Sequence, residues 1–365
     1  MKTSSVLLSA CALLLAFGTP LVLADPTNIL KNGDSGLRSN DPHPCPQIDP
    51  DRRFSDNIAM CPDEVRSISV WSVLRCSYNQ SKTLKDVRPE DKSNLKRLFN
   101  AIQTHVNTSR EINNFAVNPY ASNAETIINK SDTLGLQVCR STDSSKNDSF
   151  LLFYTKPGVI DNTGAFFGVR ESKSSRIVIL LPHDDSDGYA ATGKQGFSES
   201  KAFGFMSNSN SRKPFGGRAN DWSHETSNWG FSFFQEFNRL SVNEIGNKPF
   251  FINMHGMADT SRFLSYAGPH RPLSLEAFNT AVSEVYPGLE RKTFAVHYAV
   301  RSAIPCSSDR YIQTEIPAPR HRNGKSVLNI VRKLEMDSSG SPGQPRFPVI
   351  WSNPNDTNSN GNCSQ

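Results

Sequence analysis

Two histidines stand directly behind continuous apolar runs, His183 in Leu-Leu-Pro-His-Asp-Asp and His255 in Phe-Ile-Asn-Met-His-Gly. An apolar run without polar alternation reads as a strand buried on both faces, so each imidazole is expected at a strand end. In an open α/β sheet the ligand crevice lies at the carboxyl ends of the strands, and two imidazoles gathered there could share a metal. Asp184, Asp185 and Asp187 offer a carboxylate ligand beside His183; their plainer alternative is a solvated turn in which they accept backbone hydrogen bonds. Singly, each histidine would also serve as a hydrogen-bonding loop residue.

Zinc suits two imidazoles and one carboxylate, with a water in the fourth position that becomes a usable nucleophile near neutral pH. Such chemistry needs a base. Glu315, in Tyr-Ile-Gln-Thr-Glu-Ile, closes another expected strand and could supply it, with Arg320 and Arg322 following as binders of a substrate carboxylate. A structural ion pair between Glu315 and one of those arginines is the competing reading. His297 falls inside an expected strand, as a core residue or a support to the site, and replaces Asp187 if three histidines hold the metal.

Other reaction classes lack their residues. His224-Glu225 opens like a zinc-binding His-Glu-x-x-His helix, but Asn228 stands in the second histidine's place. Gly196-Phe-Ser198-Glu-Ser200 lacks the final glycine of a nucleophile elbow, which argues against an ordinary serine hydrolase. No phosphate-binding loop of the Walker type occurs.

The elements that must position these groups are legible from about residue 89 onward. Leu95, Leu98, Phe99, Ile102 and Val106 recur at helical spacing behind Pro89-Glu90-Asp91, predicting a helix over 89–106 with one buried face. Phe150–Tyr154 and Ala165–Val169 read as a hairpin, and Arg176–Leu181 as a buried strand. Expected helices at 228–241, 273–286 and 325–335 alternate with strands at 249–254, 293–299 and 311–316. That alternation predicts an α/β fold with a mixed, mostly parallel central sheet and helices on both faces.

The strand-Pro-His at His183, the later strand-His-Gly at His255 and the Gln-x-Glu-Ile at Glu315 resemble landmarks of the N-formylglutamate amidohydrolase group and its zinc carboxypeptidase-like relatives, chiefly over residues 176–320. The resemblance implies a zinc hydrolase cleaving amide bonds of acidic amino-acid derivatives or peptides. His183 and His255 would be ligands and Glu315 the base. The chain departs from the family pattern where Pro-His-Asp-Asp replaces Pro-His-Ser-Gly and Ser186 occupies the position of a ligand glutamate. Asp187 is then the expected third ligand and Glu199 its alternative, and a relative that has lost its metal remains the competing reading.

Residues 1–24 have the positive start, short apolar stretch and small-residue exit of a secretion signal, with cleavage after Ala24. Removal of Cys11 with that signal leaves Cys45, Cys61, Cys76, Cys139, Cys306 and Cys363, an even set suited to three disulfides in an oxidising compartment. Spacing favours bridges among the first four and a Cys306–Cys363 pair. Sequons at Asn79, Asn107, Asn129, Asn147, Asn355 and Asn362 predict a glycoprotein, with most sites before residue 150. A net charge of +5 dispersed over 365 residues gives no nucleic-acid-binding stripe, and no later segment has the apolar length of a membrane span.

The expected organisation is therefore a signal (1–24), an irregular and helical sequon-rich region packing on the main domain (25–149), an α/β domain (150–336) and a loosely ordered tail (337–365). The expected function is a secreted zinc amidohydrolase acting on a small peptide or amino-acid-derived substrate. Its alternative is a secreted binding or surface-interaction protein that keeps the fold without catalysis.

Overall fold

In the computed structural model, the described residues are 48–62, 88–112, 121–143, 148–156, 165–172, 174–181, 196–197, 200–208, 233, 236–241, 250–256, 262–267, 280, 282–284, 290–294, 311–316 and 329–330. They form a sheet of ten strands: β1 (Ala59–Met60), β2 (Leu136–Asp143), β3 (Asp148–Thr155), β4 (Ala165–Arg170), β5 (Ile177–Leu181), β6 (Gly204–Asn208), β7 (Phe250–Gly256), β8 (Arg262–Ala267), β9 (Glu290–Phe294) and β10 (Tyr311–Ile316). Their spatial order is β1-β2-β3-β4-β6-β5-β7-β10-β8-β9. Five of the nine pairings are parallel, including the continuous run β6-β5-β7-β10, while β2-β3-β4 is an antiparallel meander. The expected mixed α/β sheet is present, and Phe150–Tyr154 does pair antiparallel with the strand at 165–170.

Two helices precede the meander. Helix α1 (Pro89–Ile112) starts with proline, whose missing N–H costs nothing at that position. Asp91 reaches back to accept the Arg88 backbone N–H at 3.0 Å, which satisfies a helix-end donor. Its predicted apolar stripe, Leu95, Leu98, Phe99, Ile102 and Val106, is buried. Helix α2 (Ala121–Thr133) is followed at Gly135 by a φ of 71°, the left-handed conformation that glycine adopts at low cost after a helix.

One sheet face packs against α1, α2 and the helical residues 236–241. Phe99 stacks on Phe167 at 5.3 Å between ring centres, Phe167 stacks on Phe153 at 4.4 Å, and Phe237 meets both Phe99 and Phe167 edge-on. Val178, Leu180 and Phe251 belong to this same core. The alternate residues of β3, β4 and β5 are buried too, so both faces of the sheet centre are covered; Phe197, in a helical turn, packs on Phe150 and Phe205 there. Gly204 makes the fit possible on the α1 side, because a Cβ at that position would lie 2.7 Å from the Gly168 carbonyl oxygen and 2.9 Å from Phe237 Cζ.

Several elements differ from their sequence expectations. Helix α1 runs six residues past 106, and the sequon-rich region expected to be irregular and helical holds, besides α2, the strand β2. Strands β1, β6 and β8 were not anticipated, and β9 begins at Glu290, ahead of the expected start at 293; residues 295–299 lie outside the described residues. The sheet also runs across residue 149, since β2 pairs along its whole length with β3. Cys61 and Cys139 form a disulfide that fastens β1 to β2, a pair drawn from the first four mature cysteines. Cys45, Cys76, Cys306 and Cys363 lie outside the described residues. Among the sequons, Asn107 on α1 and Asn129 on α2 are exposed, and the other four are outside the described residues. Among those residues no helix is long and apolar enough to cross a membrane.

Candidate active site

Three consecutive parallel strands define the rim where chemistry is expected. β5 ends at Leu181, two residues before His183 in sequence; its neighbour β7 carries His255; and β10, next to β7, carries Glu315. The β7–β10 register pairs Glu315 with His255 directly. Register partners on parallel strands share a sheet face, on backbones about 4.8 Å apart in the hydrogen-bonding direction. A potential nitrogen ligand and a potential carboxylate base thus occupy adjacent positions at the carboxyl end of the sheet, the side on which open α/β sheets bind ligands. This adjacency is one step beyond the strand-end placement that the sequence suggests.

His183, Asp187, Arg320 and Arg322 lie outside the described residues, as do the alternatives Glu199 and His297. Among the described residues no group of three metal-ligating side chains is gathered. The residue types in register there, one histidine and one glutamate, are donor types that divalent metals take.

A second concentration of charge, with no sequence signal, lies at the opposite end of the sheet. β4 runs antiparallel to β6, so its last residues adjoin the start of β5, away from the carboxyl rim. Beyond β4, Glu171 is fully buried and accepts hydrogen bonds from Arg140 Nε at 2.9 Å, Arg140 Nη2 at 2.9 Å and Ser149 Oγ at 2.5 Å. His105 Nε2 from α1 is 2.6 Å from the same carboxylate. The other side of Arg140 is bidentate to Asp56, with Nη1 to Oδ1 at 3.0 Å and Nη2 to Oδ2 at 2.6 Å. Its guanidinium also stands 4.8 Å from the Phe54 ring centre.

Burial pushes the Glu171 carboxyl up, but the Arg140 charge, then the His105 hydrogen bond and charge, hold it well below the usual carboxylate range. Burial likewise disfavours the Arg140 cation, and the Glu171 charge with the Asp56 hydrogen bonds reverses that, raising its pKa. On the other sheet face Arg170 pairs with Asp148 and donates to the carbonyls of Phe197, Ser200 and Ala202. Burial pushes Asp148 up, yet Arg170 and the Ser172 hydroxyl bring it below its ordinary value. Both clusters are saturated with internal partners and enclosed, so they join the segment 48–62, α1, β2, β3 and β4 instead of receiving a substrate.

No protein-family model matches the chain, and no curated protein matches it. Solved structures similar to it include a metallo-carboxypeptidase from Burkholderia cenocepacia, at 10% identity over 59% of this chain and 68% of that one, with a TM-score of 0.32. A candidate metallopeptidase from Shewanella denitrificans is 9% identical over 55% of this chain and 84% of its own, with a TM-score of 0.30. One from Shewanella amazonensis is 9% identical over 57% and 88%, with a TM-score of 0.29. Similarity at this level carries no argument about chemistry.

Proposed function

We propose that the protein is a secreted zinc-dependent hydrolase that cleaves amide bonds of acidic amino-acid derivatives or peptides. The observation that carries this reading is the parallel register of Glu315 with His255 at the carboxyl ends of β7 and β10. The sequence adds Pro182-His183 just past β5, the strand on the other side of β7. A disulfide at Cys61–Cys139 suits a chain that matures in an oxidising compartment.

In this reading His183, His255 and Asp187 hold the metal. A bound zinc would supply Lewis acidity toward water and the scissile carbonyl. Glu315 takes a proton from the attacking water as its oxygen bonds to the carbonyl carbon, and delivers that proton to the amine as the C–N bond breaks. Arg320 and Arg322 hold the substrate's carboxylate through charge-assisted hydrogen bonds, which selects acidic substrates.

The test uses purified protein, zinc quantification and a panel of N-formyl and N-acyl glutamates and glutamyl peptides. Expected are one zinc per chain, its loss in His255→Ala, and a large fall in turnover with zinc retained in Glu315→Gln. Full amidase activity in Glu315→Gln, or unchanged zinc affinity in His255→Ala, refutes the assignment. A stable parent protein with no zinc points instead to a secreted binding protein.

A further inference from the structure

Below the rim, the same face of β5, β7 and β10 changes character within one step of the pleat. The row Val178–Phe251–Tyr311 begins it, and Val178 and Phe251 are part of the apolar core. The next row is Leu180–Asn253–Gln313–Tyr266, in which two amide residues are direct register partners on adjacent parallel strands. The row after that carries His255 and Glu315. Asn253 has no solvent exposure.

A neutral amide inside an apolar layer is costly unless its donor and acceptor are both engaged. An amide can donate to a carboxylate and accept from an imidazole N–H, and it does neither by titrating. Asn253 and Gln313 are register partners on one sheet face, each two residues before a proposed site residue on the same strand. Packing alone would favour an aliphatic residue at the buried Asn253, as at Leu180 in the same row.

We infer that Asn253 and Gln313 are a pair of positioning residues that fix the orientation of His255 and Glu315. This rests on the zinc-hydrolase reading of the rim. Groups that hold a ligand or base from behind typically change metal affinity or activity by about 10- to 100-fold when removed.

The experiment compares the parent with Asn253→Leu, Gln313→Leu and the double variant. It measures zinc affinity by chelator competition, the visible spectrum after cobalt substitution, and kcat and KM on an N-acylglutamate. Expected are folded variants that still take up one metal, with zinc affinity or kcat lowered about 10- to 100-fold, an altered cobalt spectrum, KM changed far less than kcat, and a double variant less impaired than the product of the singles. Gln313→Met, which conserves volume, serves if leucine prevents folding. If the parent binds zinc and His255→Ala loses it while every amide variant matches the parent's affinity, spectrum and kcat, the positioning role is overturned and the hydrolase reading stands. If the parent takes up no zinc, both fall.

Discussion

Replacing Arg140 by leucine would leave two buried carboxylates, Asp56 and Glu171, without the cation that spans them. Five hydrogen bonds are lost, three to Glu171 and two to Asp56, in a site where both partners are about 1% exposed or less. Removing one member of a buried ion pair costs about 3–5 kcal/mol, because the partner charge remains desolvated. With a urea m-value of about 2–3 kcal/mol/M, the unfolding midpoint at pH 7 should fall by about 1–2.5 M.

The pH dependence separates this cause from lost packing. In the parent, the Glu171 pKa is depressed in the folded state, so its stabilisation is complete above the unfolded carboxylate value of about 4.3 and is lost as pH falls below it. In the variant only His105 still opposes burial, so the folded Glu171 pKa rises from its depressed parent value. A smaller depression leaves less stabilisation above the unfolded value, and so less to be lost as pH falls. The deficit of the variant should therefore be largest at pH 7 and shrink toward pH 4. Urea titrations of the disulfide-intact proteins at pH 7, 5.5 and 4 measure it. A loss below about 1 kcal/mol at pH 7 is outside the range for such a pair, and that result, or a deficit as large at pH 4, refutes the reasoning.

Two further outcomes follow from the same framework. The Cys61–Cys139 bridge closes a loop with a sequence separation of 78, for which the chain-entropy estimate is about 4–5 kcal/mol; Cys61→Ala with Cys139→Ala should lower the unfolding free energy by an amount of that order, and a loss below about 1 kcal/mol would show that β1 and Arg140 hold the segment 48–62 without it. Gly204→Ala should destabilise by about 1–3 kcal/mol through overpacking, since its Cβ would meet backbone as well as Phe237; an unchanged thermal midpoint would count against that close approach.

The sequence exposes those elements whose residues carry their own pattern. The stripe from Leu95 to Val106 is helical in period, and the aliphatic run before Pro182 has no polar interruption; both are buried as that texture requires. β2 is different. Arg140 and Ser141 break any apolar run, and their burial depends on groups far away, Asp56 at a separation of 84 and Glu171 at 31. A strand stabilised by an ion pair with a distant residue looks polar in isolation. The start of β9 was missed for a related reason: Glu290, Arg291 and Lys292 suit an edge strand, where charge discourages pairing with another chain, but charge is also what a loop displays.

At the candidate site, the strand-end positions of His255 and Glu315 were legible in the sequence and their adjacency was not. His255 and Glu315 stand out because each interrupts apolar sequence at a strand end, which says that both face one rim if their strands are parallel. Nothing local says that β10 lies next to β7, because β8 and β9 intervene in the chain and are placed on the far side of β10. That insertion puts Glu315 level with His255 and Gln313 level with Asn253. Since one residue of register slip would move a side chain to the opposite sheet face, the level pairing is a specific property of this topology. The same topology places the two amide residues on neighbouring positions of one face, each two residues before His255 or Glu315 on its strand.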